Sequence, residues 1–184
     1  PARQGVRNAL DNFFSPITLA NDILQGEASR AGVTALRFVV NSTVGLLGIF
    51  DVAEEIGYPG HTEDFGQTLA VWGLDSGPYL VLPVLGPSNV RDVTGRVADG
   101  YMDPWTYVAD NNDLESYLWG MRALNVVDRY DRNRKRIEQL RRDSLDFYAT
   151  VRSLYMQNRR AEIRNQRVGQ EDLSVLPSYE FTEQ

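Results

Sequence analysis

Hydrophobic side chains recur with a helical period from the start of the chain. Val6, Leu10, Phe13 and Phe14 share one face, and Ser15 followed by Pro16 has the form of an N-cap and first helical residue, so the spacing predicts one helix yielding to a second there. The second is expected to run to about Gln25 and stop at Gly26. From Glu27 to about Gly48 the chain is rich in Ala, Val and Leu, with Arg37 and Asn41 its main polar interruptions past Arg30. That pattern predicts a long helix buried on most sides. Residues 49–56 extend it or form a short turn before the break at Gly57-Tyr58-Pro59-Gly60. Thr62 is expected to cap the next helix, with Phe65, Leu69 and Trp72 on one face and Gly73 as its stop.

The stretch GPYLVLPVLGPSN, residues 77–89, is apolar yet broken by Pro78, Pro83 and Pro87 and bracketed by Gly77 and Gly86. Proline removes a backbone donor and clashes with the preceding helical turn, so this segment is neither a regular helix nor a central strand. A shaped apolar loop is predicted. Ser88 is then expected to cap a helix carrying Val90, Val93 and Val97 inward and ending at Gly100, followed by a turn at Asp103-Pro104. Asp113 to about Gln166 reads as two helices that change over between Asp131 and Asp143. Leu114, Tyr117, Leu118, Met121 and Leu124 form one stripe, and Leu145, Tyr148, Val151 and Tyr155 another. No internal repeat is visible. The expectation is one all-α domain, residues 1–167, with a polar tail from 168 to 184.

Charge changes this picture through its distribution. Residues 1–100 carry 17 charged side chains and the remaining 84 carry 27. Residues 38–50 carry none, and residues 65–90 carry only Asp75. As a helix, the first of these segments would be roughly 20 Å long, short of the roughly 30 Å hydrocarbon core of a bilayer. Such segments sit within one leaflet or in a protein core. A net charge of −6 and a pI near 4.8 weigh against nucleic acid as a partner, because that binding rests on neutralising phosphates. The absence of cysteine rules out disulfides, thiolate metal sites and a cysteine nucleophile. The chain opens on Pro1 without a Met or a signal-like apolar region, which suggests a processed start.

Candidate chemistry is sparse. His61, the only histidine, stands beside a Pro-Gly turn and is expected to be solvated. Gly73-Leu74-Asp75-Ser76-Gly77 has the wrong spacing for a nucleophile elbow. No metalloprotease, Walker A or dinucleotide motif appears, so no catalytic residue, metal or cofactor is expected. The basic run Arg132-Asn133-Arg134-Lys135-Arg136 with Arg141-Arg142 reads as the solvated face of a helix, interleaved with Asp128, Asp131, Glu138 and Asp143, with a patch that meets anionic headgroups as the alternative. Asn41-Ser42-Thr43 matches a glycosylation sequon inside the most apolar stretch, a chance match. Asn41, Asp51, Arg91 and Asp92 adjoin apolar segments. They are either caps and mutual partners or the lining of a wet passage.

The sequence resembles the MlaA (VacJ) lipoprotein family of Gram-negative bacteria. The resemblance is carried by Pro1-Ala2-Arg3 through Asn12-Phe13, RFVVNSTVGLLGIFDVA (37–53), EDFGQTLAVWGLDSGPYLVLPVLGPSNVRDVTGRVADGY (63–101) and LDFYATVRSLYMQNRR (145–160). It is weakest from Val126 to Arg142 and after Glu162. It implies a ring-like arrangement of short amphipathic helices held in the periplasmic leaflet of the outer membrane, usually with a trimeric porin. It also implies a signal peptide and lipid-bearing cysteine, neither present in this chain. The implied task is removal of mislocalised phospholipids from the outer leaflet and their delivery to a soluble periplasmic carrier, passively. On that reading Asn12, Phe13, Asn41, Asp51, Arg91 and Asp92 line the passage, and the loop containing Gly77, Pro78, Pro83, Gly86 and Pro87 gates it. Arg91 would meet a lipid phosphate, unless it pairs internally with Asp92 or Asp51. The alternatives are a peripheral membrane scaffold that conducts no lipid, and a lipid enzyme dependent on Ser76 or His61.

The charge-poor segments generate a first prediction. Purified without detergent, the protein should aggregate or require a porin; a stable, monodisperse monomer in plain buffer would contradict a leaflet-embedded chain.

Overall fold

The computed structural model describes residues 2–165. The chain forms α1 (Ala2–Leu24), α2 (Ala28–Thr43), α3 (Val52–Glu55), α4 (Phe65–Val71), β1 (Tyr79–Leu82), β2 (Gly86–Asn89), α5 (Val90–Met102), α6 (Pro104–Asp110), α7 (Glu115–Asp143) and α8 (Phe147–Ile163). Packing runs from α1 to α4, α4 to α5, α5 to α6, α6 to α7 and α7 back to α1, and α1 also packs directly on α5 across this circuit of helices. The α2–α3 pair is attached to it through α1, and α8 bridges α7, α4 and the hairpin. The expected helical class is therefore what the chain adopts, with one short ribbon added. The predicted tail at 168–184 and the domain limit at 167 lie outside the described residues.

Several boundaries differ from the sequence reading. The expected break at Ser15-Pro16 is absent, because α1 runs through Pro16. Proline there leaves the carbonyl of Asn12 without its i+4 donor, and the Ser15 hydroxyl donates to that carbonyl instead, at 2.8 Å. The predicted long helix ends at Thr43, where Leu46, Leu47 and Gly48 turn left-handed (φ 51°, 59° and 89°). Gly48 passes against Asn12 so closely that a Cβ would collide with its side chain. Asp64, rather than Thr62, caps α4 by accepting from Gln67 N at 2.9 Å. Asn89, rather than Ser88, caps α5 by accepting from Asp92 N at 2.8 Å. Helix α5 runs past Gly100 to Met102, and the change from α7 to α8 falls at 144–146, just beyond the expected window.

The Pro-rich segment folds back on itself as an antiparallel ribbon pairing Tyr79 with Asn89, Leu80 with Ser88, Val81 with Pro87 and Leu82 with Gly86. A two-stranded ribbon has only edge strands, where proline's missing donor costs little. Gly86, at φ 80°, supplies the left-handed residue that closes the turn.

The larger departure concerns which side chains face inward. Of α5, Arg91, Asp92 and Gly95 are buried while Val90 and Val97 point out, the reverse of the expected face. The inversion is general. Among the described residues six hydrophobic side chains are buried (Leu10, Ala31, Ala53, Leu69, Ala109 and Leu118), against fourteen polar or charged ones. Val39, Val44, Leu46 and Leu47, within the stretch expected to be a helix buried on most sides, are exposed, as are Ile49 and Phe50 after it. Of the α7 stripe, Leu118 alone is buried; Leu114, Tyr117 and Leu124 are exposed, as are Leu145 and Tyr148 at the start of the other. No described helix is long and apolar enough to cross a membrane.

Helices α4 and α5 meet at Gly66 and Gly95, where an added Cβ on Gly95 would lie 2.6 Å from the Cα of Gly66. Substituting Gly95→Ala should therefore force backbone apart and lower stability by about 1–3 kcal/mol. Gly100→Ala, in the same helix with open space around it, should be neutral or slightly stabilising. Thermal unfolding of the two variants in detergent checks the contrast; equal midpoints would contradict the tight crossing.

Candidate functional site

The residues singled out for a passage fall into two polar clusters. In the first, Asn12 on α1 donates to the Ser42 hydroxyl at 2.9 Å, fastening α1 to the end of α2. Asn41 donates to Asp51 Oδ1 at 2.9 Å and accepts from Ala53 N at 3.0 Å. Asp51 caps α3 and also accepts from Arg37 at 2.7 Å, and Arg37 donates in addition to the Tyr58 carbonyl. Burial alone would raise the Asp51 carboxyl, but the bonds from Arg37 and Asn41 outweigh it and hold it below the usual range. Phe13 faces elsewhere. It stacks on Trp105 at 4.7 Å between ring centroids, with planes 13° apart, and the Trp105 indole donates to the Phe13 carbonyl at 2.6 Å.

The second cluster is built around Asp92. Arg91 donates to its Oδ1 from Nε at 3.2 Å and Nη2 at 3.1 Å. Asn89 donates to Oδ2 at 2.7 Å, Arg159 Nε at 2.9 Å, and the Tyr155 hydroxyl also donates there. Arg159 turns its other two nitrogens onto Asp64 as a fork, at 2.9 and 2.5 Å. Burial works to raise the Asp92 carboxyl, yet Arg159 and Tyr155 hold it below the ordinary carboxylate range. Burial likewise acts against the Arg159 charge, and the two carboxylates outweigh it and raise its pKa. Of the internal pairings considered for Arg91, the structure has the one with Asp92; Asp51 belongs to the other cluster.

This second cluster roots the hairpin. Tyr79 in β1 packs edge-on to Tyr148 at 5.6 Å and lies 5.9 Å from Tyr155, both on α8. Asn89 ends β2 and also donates to Tyr155 at 3.2 Å. Gly77, Pro78, Pro83, Gly86 and Pro87 thus belong to a ribbon whose base contacts α8 through Tyr79 and Asn89. Its turn, with Val84 and Leu85, is apolar and exposed. Arg159, Asp64 and Trp105 were not singled out from the sequence, and Tyr155 was placed only in an apolar stripe. A usable signal for Asp64 was its capping-box spacing to Gln67.

His61 is not solvated. Its Nε2 lies 2.9 and 3.0 Å from the two oxygens of the fully buried Asp22. A carboxylate only accepts, so Nε2 carries the hydrogen. Thr34 donates to Asp22 at 2.6 Å, and Arg30 bonds Glu63 at 2.5 Å while lying 3.8 Å from Asp22. The ligating atoms of Asp22, His61 and Glu63 are within 4.8 Å of one another, a spacing suited to a metal, but the Arg30 guanidinium already supplies the positive charge there. Glu63 connects through Gln25 to Thr68 and Asn21, and Asn21 donates to Asp99 at 2.9 Å. Ser76, the other residue on which an enzyme would depend, bonds only Asp75 and Gly77 through its side chain and is remote in these contacts from His61.

A model of the MlaA lipoprotein family matches residues 1–162. The chain belongs to that family. It is 34% identical over 160 residues to an uncharacterised protein of Rickettsia prowazekii (strain Madrid E), covering 86% of this chain and 62% of the relative. It is 33% identical over 163 residues to the intermembrane phospholipid transport system lipoprotein MlaA of Haemophilus influenzae, with the same coverage of 86% and 62%. The MlaA protein of Escherichia coli K12 is 38% identical over 105 residues, 55% of this chain and 41% of that protein. The chain thus spans about three-fifths of the length of the relatives that match most of it. A protein solved in work on the structural basis for maintenance of bacterial outer membrane lipid asymmetry superposes with a TM-score of 0.73 at 27% identity, covering 89% of this chain and 80% of that one. The mostly helical fold is shared with that structure.

Asp99 generates a pH prediction. Burial pushes its carboxyl from 3.8 up to about 6, although Asn21 and the Phe65 N–H donate to it. The native state then holds the proton more tightly than the unfolded chain. The stability this group contributes is complete below pH 4 and is lost as pH rises through 6. At 1.36 kcal/mol per unit, the stability of the native protein relative to Asp99→Asn should fall by at most about 3 kcal/mol between pH 4 and pH 7, read from denaturation midpoints in detergent. A difference that stays flat with pH would contradict it.

Proposed function

We propose that this chain sits in the periplasmic leaflet of the outer membrane and passes phospholipid through a polar passage. It would take mislocalised lipid from the outer leaflet toward a soluble periplasmic carrier, without an energy source of its own. The observation that carries this reading is the inverted burial: among the described residues polar and charged side chains are buried, and large apolar ones are exposed. A phospholipid with two chains of about 16 carbons costs on the order of 25 kcal/mol to place in water, at about 0.8 kcal/mol per CH₂. A transporter must therefore give the headgroup polar surroundings while the tails stay in oil, and a helical fold with polar groups buried and apolar ones outside suits that division. The names of the relatives from Haemophilus influenzae and Escherichia coli, both phospholipid transport lipoproteins, support the same reading. A porin partner is part of the proposal, since it would hold so oily a surface at a fixed depth.

In this reading the Asn12, Asn41 and Asp51 cluster and the Arg91 and Asp92 cluster border the headgroup route, Phe13 with Trp105 braces its wall, and the hairpin from Gly77 to Asn89 is the gate. The ribbon's exposed apolar turn suits a flap that swings when the contacts of Tyr79 with Tyr148 and Tyr155 on α8 open. A second reading, a scaffold that conducts nothing, is favoured by one observation: Asn41, Asp51, Arg91 and Asp92 all satisfy one another or their neighbours.

A crosslink separates the two. Because the chain has no cysteine, Tyr79→Cys and Tyr148→Cys can be bridged by a short bis-thiol reagent, clamping the hairpin to α8. Lipid transfer from the outer leaflet should stop in the crosslinked protein and return on cleavage of a reducible bridge, with helix content and porin association unchanged. Full transfer with the bridge in place would leave the hairpin a structural element.

A further inference from the structure

Arg30 supplies one positive charge to the cluster at the C-terminal end of α1, and that cluster holds two buried carboxylates. The guanidinium serves one of them. It bonds Glu63 at 2.5 Å but stops 3.8 Å from Asp22, and its Nε is buried without an acceptor. The Asp22 side chain, in a residue only 1% exposed, accepts hydrogen bonds among the described residues from the Thr34 hydroxyl and the His61 imidazole alone. A carboxylate so deep is ordinarily paired with a cation or ligates a metal. Burial raises the Glu63 carboxyl even with Gln25 and Arg30 bonded to it, so the two carboxylates together are short of positive charge.

The donors gathered there are those of a three-ligand metal site. One ligand atom each of Asp22, His61 and Glu63 lies within 4.8 Å of the other two. Tetrahedral ligands about 2.1 Å from a metal are about 3.4 Å apart, so a closure of at most about 1.4 Å brings the three to coordination distance. His61 and Glu63 share the short loop before α4, while Asp22 is on α1, which lets the loop close as a unit. Both carboxylates are oriented from behind. Thr34 donates to Asp22 at 2.6 Å and Gln25 to Glu63 at 3.0 Å, the kind of outer-shell bond that aims a carboxylate ligand. Gln67 holds the loop between its two ligands by donating to the Thr62 carbonyl at 3.2 Å, and its own Oε1 is buried without a donor. His61 is partly exposed between the exposed Gly60 and Thr62, which gives an ion a way in.

We propose that Asp22, His61 and Glu63 bind a divalent transition metal of the zinc type, which clamps the loop before α4 onto the end of α1. One imidazole with two carboxylates suits Zn²⁺ and its neighbours, whereas Ca²⁺ takes six to eight oxygen ligands, more than these side chains offer. On binding, the metal takes the place of the hydrogen on Nε2, and the ring carries its hydrogen on Nδ1. Glu63 directly precedes Asp64, the cap of α4 that Arg159 holds, so the clamp adds to the fixing of that helix entry. The site stands whether or not the chain conducts lipid.

His61 is the only imidazole and the chain has no cysteine, so the protein, free of any histidine tag, offers Zn²⁺ no other imidazole and no thiolate. The full chain in detergent is stripped with a chelator, loaded with Zn²⁺, desalted and assayed for bound metal. About one ion per chain should remain, and Zn²⁺ at about a hundredfold its dissociation constant should raise the thermal midpoint by about 5–10 °C. His61→Gln and Glu63→Gln, each checked for helix content, should weaken binding at least about tenfold, the scale on which even outer-shell changes act. Glu54→Gln with Glu55→Gln, an exposed acidic pair on α3, should bind zinc as the native protein does. Failure of the native protein to retain zinc would overturn the site and leave Arg30 as its only cation. Equal retention by native protein and His61→Gln would reduce the binding to adventitious carboxylate contact. A midpoint shift of equal size with Ca²⁺ would exclude a site that depends on imidazole.

Discussion

Arg159 is the residue on which the tertiary structure turns. Its guanidinium bridges Asp64, the cap of α4, and Asp92, in the first turn of α5, so one side chain of α8 locks the entries of two helices at once. Those helices cross at Gly66 and Gly95 without room for a methyl group, and at that distance a change in either entry angle is transmitted directly. The hairpin is referenced to the same point through Asn89 and Tyr155. Burying a guanidinium between two carboxylates is favourable only when the geometry satisfies every donor, and removing one partner of such a set typically costs several kcal/mol. The arrangement therefore fixes a single conformation, since partial alternatives leave a buried charge exposed to nothing.

A polar interior follows from an apolar exterior. In water the burial of Leu and Val drives collapse, and the polar groups that remain inside are tolerated. Here the large apolar side chains lie outside, and on the proposed leaflet setting they gain nothing from packing inward. What distinguishes the native state is then the matching of donors to acceptors: Asn21 with Thr68 and Asp99, Asp22 with Thr34 and His61, Asp103 with Arg122. Directional bonds of that kind specify register in a way that apolar contact does not, and in low dielectric each is worth more than at a wet surface.

The same inversion explains what could be read from the sequence. Periodicity marks helices whichever side faces oil, so the helical class, the Gly26 and Gly73 stops and the two long C-terminal helices were legible. The sign of the amphipathic face was not. Val90, Val93 and Val97 look like a core stripe in water, whereas Arg91 and Asp92 are the buried residues of that helix. Pro16 looked like a boundary because proline usually is one; Ser15 removes the penalty locally through a bond that spacing alone does not reveal. Asn41, Asp51 and Asp92 stood out as polar residues in oily surroundings, and Asn12 through the family resemblance; all four occupy polar clusters. Arg159 and Tyr155 did not stand out, because a charge near the end of a charged helix carries no mark of its partner 95 residues earlier.

Two turns show how far the backbone depends on what surrounds it. Leu46 and Leu47 adopt φ of 51° and 59°, and Val84 adopts 67°, conformations that cost an L-residue roughly 1–2 kcal/mol each and are worst for a β-branched one. Leu47 and Val84 are also 77% and 86% exposed. In water this would combine strain with unburied apolar surface. In hydrocarbon each of these side chains gains about 1.5–3 kcal/mol by leaving water, enough to offset the backbone cost. On the proposed leaflet setting the turn at 44–50 and the tip of the hairpin thus meet one solvent, the same one in which a polar interior is favoured.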